Sequence, residues 1–201
     1  MYISGILLAA GRSTRMGTDK LSLCYKGQPI LHRSLAPLIS SPLVSEVIVV
    51  VNPSFSLPID RVSCTVVVNR DARSGMASSL RTGVKAASAL ADAYLVSLAD
   101  MPAITEALIT TLVGAYRRTD KKILVPVYEG RNGHPVIFDS EYKGRLLRIE
   151  GDVGAREIIR ENPEMVECVP VDDPGVVFDV DTPGSLTDGP VHSREPRKNA
   201  R

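Results

Sequence analysis

Apolar runs at residues 3–10, 46–52, 64–69 and 94–99, the second rich in β-branched residues, recur along this chain with helix-patterned segments among them. Strands covered on both faces read as continuous apolar runs, whereas half-exposed strands alternate. Residues 29–39 place Ile30, Leu31, Ser34, Leu35 and Leu38 on one helical stripe, with Pro29 suited to a first turn and Ser41-Pro42 as a stop. A second helix, rich in alanine, serine and leucine, is predicted over 77–90. Thr105 caps a third that runs to about Arg117, with Glu106 in its first turn. Strand and helix alternating in this way predict a parallel sheet with crossover helices. After residue 125 the rhythm changes. Segments 122–128 and 135–138 flank Glu129-Gly130-Arg131-Asn132-Gly133, a hairpin signal, and a short helix at 153–162 precedes strands at 165–171 and 176–180.

Composition narrows the class. A chain of 201 residues with 44% apolar and 23% charged side chains suits one domain with a real core. We place that domain at 1–187 and expect the basic, proline-containing stretch 188–201 to be a disordered tail. The net charge of +1 argues against a nucleic-acid or anionic-membrane partner, so any anion site must be local. No apolar run is long enough to span a membrane, and Met1 leads into a strand without a signal-peptide pattern. Cys24, Cys64 and Cys168 are far apart and form no C-x-x-C pair, which predicts a reducing, cytoplasmic setting.

Chemistry concentrates where strands end. The first run opens at Gly11 into a loop carrying Arg12, Arg15, Gly17 and Lys20. The spacing matches neither G-x-x-x-x-G-K-[ST] nor G-x-G-x-x-G, so neither standard nucleotide loop is present. Backbone donors with distributed cations nevertheless suit a triphosphate; the plainer alternative is a surface loop with solvated charges. Asp100 follows another apolar strand and precedes Pro102, where it could bind a ligand or simply form a turn. Asp179 and Asp181 alternate, so an extended segment would point both carboxylates to one face. With Asp100 they could hold Mg²⁺ over a triphosphate, or they could belong to an Asp-rich turn. Ser78 or Ser79 would cap the second helix, and Asp152 reads first as an N-cap. A lone histidine such as His134 is more often a structural hydrogen-bonder than a catalyst.

Taken in order, L-A-A-G-R-S-x-R-M-G-x-x-K at 8–20, G-M-A-S-S-L-R at 75–81, L-A-D-M-P at 98–102, G-H-P-V at 133–136, G-D-V-G-A-R at 151–156 and D-V-D-T-P at 179–183 resemble the molybdenum-cofactor nucleotidyltransferases, in particular their cytidylyltransferase branch. The resemblance spans roughly residues 3–186. It implies an α/β fold of the nucleotide-diphospho-sugar transferase type: a three-layer, Rossmann-like, mixed and mainly parallel sheet. It implies CTP and molybdopterin, or the molybdenum cofactor, as substrates, Mg²⁺ as cofactor, and a molybdoenzyme or its chaperone as possible recipient.

Carried over by residue, Ala9, Ala10, Gly11 and Arg12 would approach the nucleotide. Arg15 and Lys20 would neutralise the triphosphate, and Ser79 with Leu80 would line the base and ribose pocket. Asp100 would be the principal metal ligand, joined by Asp179 or Asp181. His134, Asp152 and Arg156 would face the acceptor. Ala10 stands where the guanylyltransferase branch resembles Leu-Ala-Gly-Gly, and its methyl group favours CTP. Competing readings are a sugar-phosphate or other phosphate acceptor, GTP as donor, a nicotinamide-dependent oxidoreductase, and a non-catalytic protein that delivers cofactor.

Overall fold

The computed structural model describes residues 1–11, 20–56, 58–59, 63–152 and 154–181. In chain order the elements are β1 (Ile3–Ala9), β2 (Cys24–Tyr25), β3 (Gln28–Pro29), α1 (Ile30–Ser40), β4 (Glu46–Val51), β5 (Thr65–Val68), α2 (Met76–Ala86), β6 (Ala93–Leu98), α3 (Glu106–Tyr116), β7 (Ile123–Tyr128), β8 (Arg131–Asn132), β9 (Val136–Asp139), α4 (Lys143–Leu146), α5 (Arg156–Glu161) and β10 (Val166–Pro170). β1 pairs in parallel with β4 on one side and β6 on the other, and β5 extends the sheet beyond β4. The full order is β10-β7-β9-β6-β1-β4-β5, with short β8 folded back on β7. Strand β9 lies antiparallel between β6 and β7, and β10 returns parallel to β7. The sheet is therefore mixed and mainly parallel.

Side chains of β1 are sorted to the two faces by the period of two. Ile3, Leu7 and Ala9 pack with Leu31, Leu35 and Leu38 of α1 and with Leu108, Ile109 and Leu112 of α3. Ile6, Leu8 and Ala10 pack on the other face with Ala77, Leu80 and Val84 of α2. Helices over both faces make three layers and explain why β1 is buried along its whole length. Each fully buried Leu or Ile there contributes on the order of 1.5–3 kcal/mol. Helix α2 lies close against the sheet because residue 83 is glycine; a Cβ there would come within 2.5 Å of Ile6 Cγ2.

The α3 cap is as predicted: the Thr105 hydroxyl accepts from the Leu108 N–H at 3.2 Å. Other elements differ from their sequence patterns. Helix α2 stops at Ala86, and Ala87 is extended. Ser88 ends it by accepting the Leu90 N–H on its own hydroxyl, a local bond that competes with the helix, and Leu90 is left exposed. The segment 176–180 is no strand. Pro174–Val177 is a 3-10 turn, and the following residues run alongside the sheet without joining a ladder. Val176 and Val180 are apolar because both are fully buried. Their backbone bonds go elsewhere: the His134 N–H donates to Val176 O, and the Val180 N–H donates to Asp100 O, at 2.8 and 2.9 Å. These bonds fasten the last segment over the ends of β6 and β8. The domain end at 187 and the tail 188–201 lie outside the described residues.

Candidate functional site

From β1 the chain moves outward through β4 to β5 and then returns to place β6 on the other side of β1. At such a reversal the connections leave in opposite directions and open a crevice beyond the carboxyl ends of the strands. A cavity of about 700 Å³ lies at this point, lined by Leu8, Ala10 and Gly11 from β1 and by Leu98 and Asp100 from β6. Residues 72–76, Ser79, Gly151 and Asp152 complete its wall. A second cavity of about 330 Å³ shares Leu8, Met76 and Leu98 with the first. Its walls include Leu80, Val96, Val125, Val136, Phe138 and Ile159, with Asn132, His134, Arg156 and Arg160 as the polar groups.

At the end of the opening loop the Lys20 ammonium donates to Asp100 Oδ2 at 3.0 Å and to Asp181 Oδ1 at 2.6 Å. Burial opposes its charge, but the Asp100 and Asp181 carboxylates outweigh that cost and hold the lysine pKa above its usual value. Lys20 is thus a cation clamped between two carboxylates distant in sequence, Asp100 just past the end of β6 and Asp181 on the last described segment. Asp179 is exposed overall, but the protein around its carboxyl crowds out part of its water. That crowding first, and then the charges of Asp181 and Asp100, raise its pKa above the usual carboxylate range.

The other oxygen of Asp100 differs from the one that meets Lys20. This atom, Oδ1, is buried and has no hydrogen-bond partner among the described residues. An orphaned carboxylate oxygen in a crevice is costly unless a ligand or ion completes it. Among the described residues no three His, Cys, Asp or Glu side chains converge as a metal cage.

The residues picked from the sequence distribute as follows. Ala10 and Gly11 line the larger cavity, whereas the Ala9 side chain belongs to the core on the opposite face. Ser79 lines the larger cavity and Leu80 the smaller one. His134 and Arg156 line the smaller cavity. Asp152 instead lines the larger one and caps α2, accepting the Met76 N–H at 3.0 Å. The cap of α2 therefore comes from another part of the chain and not from Ser78 or Ser79, which sit inside its first turns. Arg12 and Arg15 lie outside the described residues.

Gly75 makes the approach of these two loops possible. Its φ is +91°, and a Cβ there would lie 2.6 Å from Gly151 O. The Ala77 N–H donates to that same carbonyl. His134 is half-buried, and desolvation foremost, aided by the charge of Arg156, lowers its pKa below 6.5, against a hydrogen bond that the ring donates to the Val96 backbone carbonyl and the charge of Asp100. The ring is therefore neutral near pH 7. Its Nδ1 is buried without a partner among the described residues.

Sequence patterns did not single out Asn69, which is buried just past the end of β5 and bonded to both serines of α2. Its position beyond an apolar strand was the available signal.

A family model described as the MobA-like NTP transferase domain matches residues 5–166. The chain belongs to this family. The MobA-like chain is 30% identical over 194 residues to the purine catabolism protein PucB of Bacillus subtilis, covering 90% of this chain and 93% of PucB. It is 29% identical over 192 residues to a nicotine blue oxidoreductase of Paenarthrobacter nicotinovorans, covering 90% and 92%. A probable molybdenum cofactor guanylyltransferase of Chloroflexus aggregans is 37% identical over 115 residues, covering 56% of this chain and 52% of that protein. Among solved structures, Rv0371c of Mycobacterium tuberculosis superposes with a TM-score of 0.81 at 28% identity, covering 92% and 94% of the two chains. Rv0371c has also been solved in complex with manganese. The MobA-like fold is that of the nucleotide-diphospho-sugar transferases, as the sequence motifs implied. The protein is an enzyme of the nucleotidyltransferase type.

Proposed function

We propose that this enzyme transfers CMP from CTP to the terminal phosphate of molybdopterin or the molybdenum cofactor and releases pyrophosphate. The observation that carries the reading is the Lys20 clamp on Asp100 and Asp181 at the mouth of a crevice formed by β1 and β6. The larger cavity would take the nucleotide and the smaller, more apolar one the pterin. In this arrangement Lys20, with Arg12 and Arg15 from the loop, balances the triphosphate charge. An acceptor phosphate oxygen attacks the α-phosphorus as the bond to pyrophosphate breaks. Because that oxygen is already anionic, positioning and charge neutralisation supply the rate, without a general base. Asp100, with Asp181 or Asp179, would hold Mg²⁺, which when bound stabilises charge developing on the phosphates. Arg156 and Arg160 line the smaller cavity and would attract the acceptor's phosphate from the other side.

Ala10 supports CTP as donor, because its methyl group narrows the cavity wall beside the base. GTP remains the specific alternative, given the guanylyltransferase relative. The relative named an oxidoreductase favours a redox reading. Against it, the β1 loop lacks paired glycines and ends in the lysine clamp. The setting we infer is cytoplasmic, with delivery of product to a molybdoenzyme or its chaperone. No helix among the described residues is long and apolar enough to cross a membrane.

The test is a pyrophosphate-release panel of CTP, GTP, ATP and UTP, with and without molybdopterin. Release with CTP that requires molybdopterin is expected. GTP preferred over CTP would refute the reading of Ala10, release with a different acceptor would refute the pterin, and nicotinamide oxidation without pyrophosphate would refute the transferase.

A further inference from the structure

Asn69 is buried to 3% exposure between the end of β5 and the start of α2. Its Oδ1 accepts the Asp71 backbone N–H at 3.0 Å. A backbone N–H can only donate, so this bond fixes which way the amide faces. The Nδ2 must then face the serines of α2, and it donates to Ser78 Oγ at 2.8 Å and to Ser79 Oγ at 3.1 Å. One amide group thus supplies one proton to each of two adjacent hydroxyls.

The two hydroxyls differ in what they do with their own protons. Ser78 Oγ lies 2.8 Å from both Asp71 O and Gly75 O, so its proton is committed to a carbonyl. Ser79 has no such acceptor among the described residues; its hydroxyl accepts from Asn69, and the residue lines the larger cavity. Having accepted from Asn69, it cannot turn its proton back toward that amide. The proton must point away from Asn69, on the cavity side.

We propose that Asn69 sets the hydrogen-bond polarity of the nucleotide cavity, by holding Ser79 as an obligate donor. The cavity then selects a nucleotide that presents an acceptor, a carbonyl oxygen or ring nitrogen, opposite Ser79. This inference rests on the larger cavity being the nucleotide site. Asn69 is a positioning residue: it acts through Ser79 and touches no substrate. A buried donor left without its acceptor is penalised more than a lost neutral bond is rewarded, so the arrangement discriminates more than it binds.

The experiment is a double-mutant cycle on the full chain, read as nucleotide affinity by equilibrium dialysis with CTP, GTP, ATP and UTP, alongside acceptor KM and thermal midpoint. Ser79→Ala should weaken the best nucleotide roughly five- to tenfold. Asn69→Asp places an acceptor where the amide donated, so Ser79 turns its proton inward. It should weaken that nucleotide about as much and cut its lead over the other bases at least fivefold, with acceptor KM unchanged. In the Ser79→Ala background Asn69→Asp should have no further effect. If Asn69→Asp does not fold, Asn69→Ala substitutes for it: the freed hydroxyl can rotate, and the loss should be smaller than that of Ser79→Ala but again absent without Ser79. Effects that multiply, or folded variants with wild-type affinity and base order, would overturn the inference alone. A wild type that binds none of the four nucleotides would overturn both it and the reading of the cavity.

Discussion

The two cavities share a wall of Leu8, Met76 and Leu98, yet they are built by different means. The larger draws its polar groups from the ends of parallel strands and the start of α2: Gly11, Asp100, Ser79, and Asp152 reaching across from another loop. The smaller is walled largely by strand side chains of β6, β7 and β9, with Asn132, His134, Arg156 and Arg160 as isolated polar points. Backbone ends and short polar side chains suit a highly charged, hydrogen-bonding ligand. Flat apolar walls with few charged groups suit a ring system with an anionic end. The antiparallel insertion of β9 is what creates the second environment, because it brings its own loop, Gly133-His134, to the same sheet edge.

Asp100→Ala should break the first environment and have the largest effect. Pyrophosphate release should fall by three or more orders of magnitude, since the variant loses the orphaned oxygen and one arm of the Lys20 clamp. Near-normal turnover would remove Asp100 from the chemistry. Arg156→Ala addresses the second environment, with a smaller and separable outcome. Acceptor KM should rise about tenfold while nucleotide KM stays within a factor of two. Equal rises in both would mean that the cavities do not divide the substrates.

The smallest effect sharpens the contrast through pH. His134 has a folded-state pKa below 6.5, so as pH falls beneath that value the unfolded chain takes up a proton that the folded chain resists. Stability should therefore decline from pH 7.5 to 5.5, by at most about 1.4 kcal/mol per pH unit from this group. Urea unfolding would show it, and His134→Gln should flatten the slope. An unchanged slope would assign the acid sensitivity elsewhere.

Much of the fold was legible because burial leaves a periodic signature. The continuous run of β1, the stripe of α1 and the Thr105 cap are local properties, and each stands where its pattern predicted. The segment 176–180 shows the limit of that inference. Val176 and Val180 carry the apolar signature of burial, but burial alone does not say that a backbone pairs in a ladder. For the site, strand-end residues such as Ala10, Gly11 and Asp100 were recognisable by position, whereas Asn69 was passed over. Nothing local distinguishes a turn asparagine from one that orients two serines on the next helix.

By itself the sequence determined the alternation of buried strands and helices, the ordered motifs and hence the family, because these depend on residue type and spacing along one chain. Tertiary structure alone decided that Lys20 closes on Asp100 and Asp181, that Asp152 caps a helix whose first residue precedes it in the chain by 76 residues, and that one amide bonds both adjacent serines of α2. The physical reason is that hydrogen bonds and ion pairs act over about 3 Å in space with no regard for sequence separation. Which groups meet at that distance is settled only when the sheet has placed its strand ends side by side.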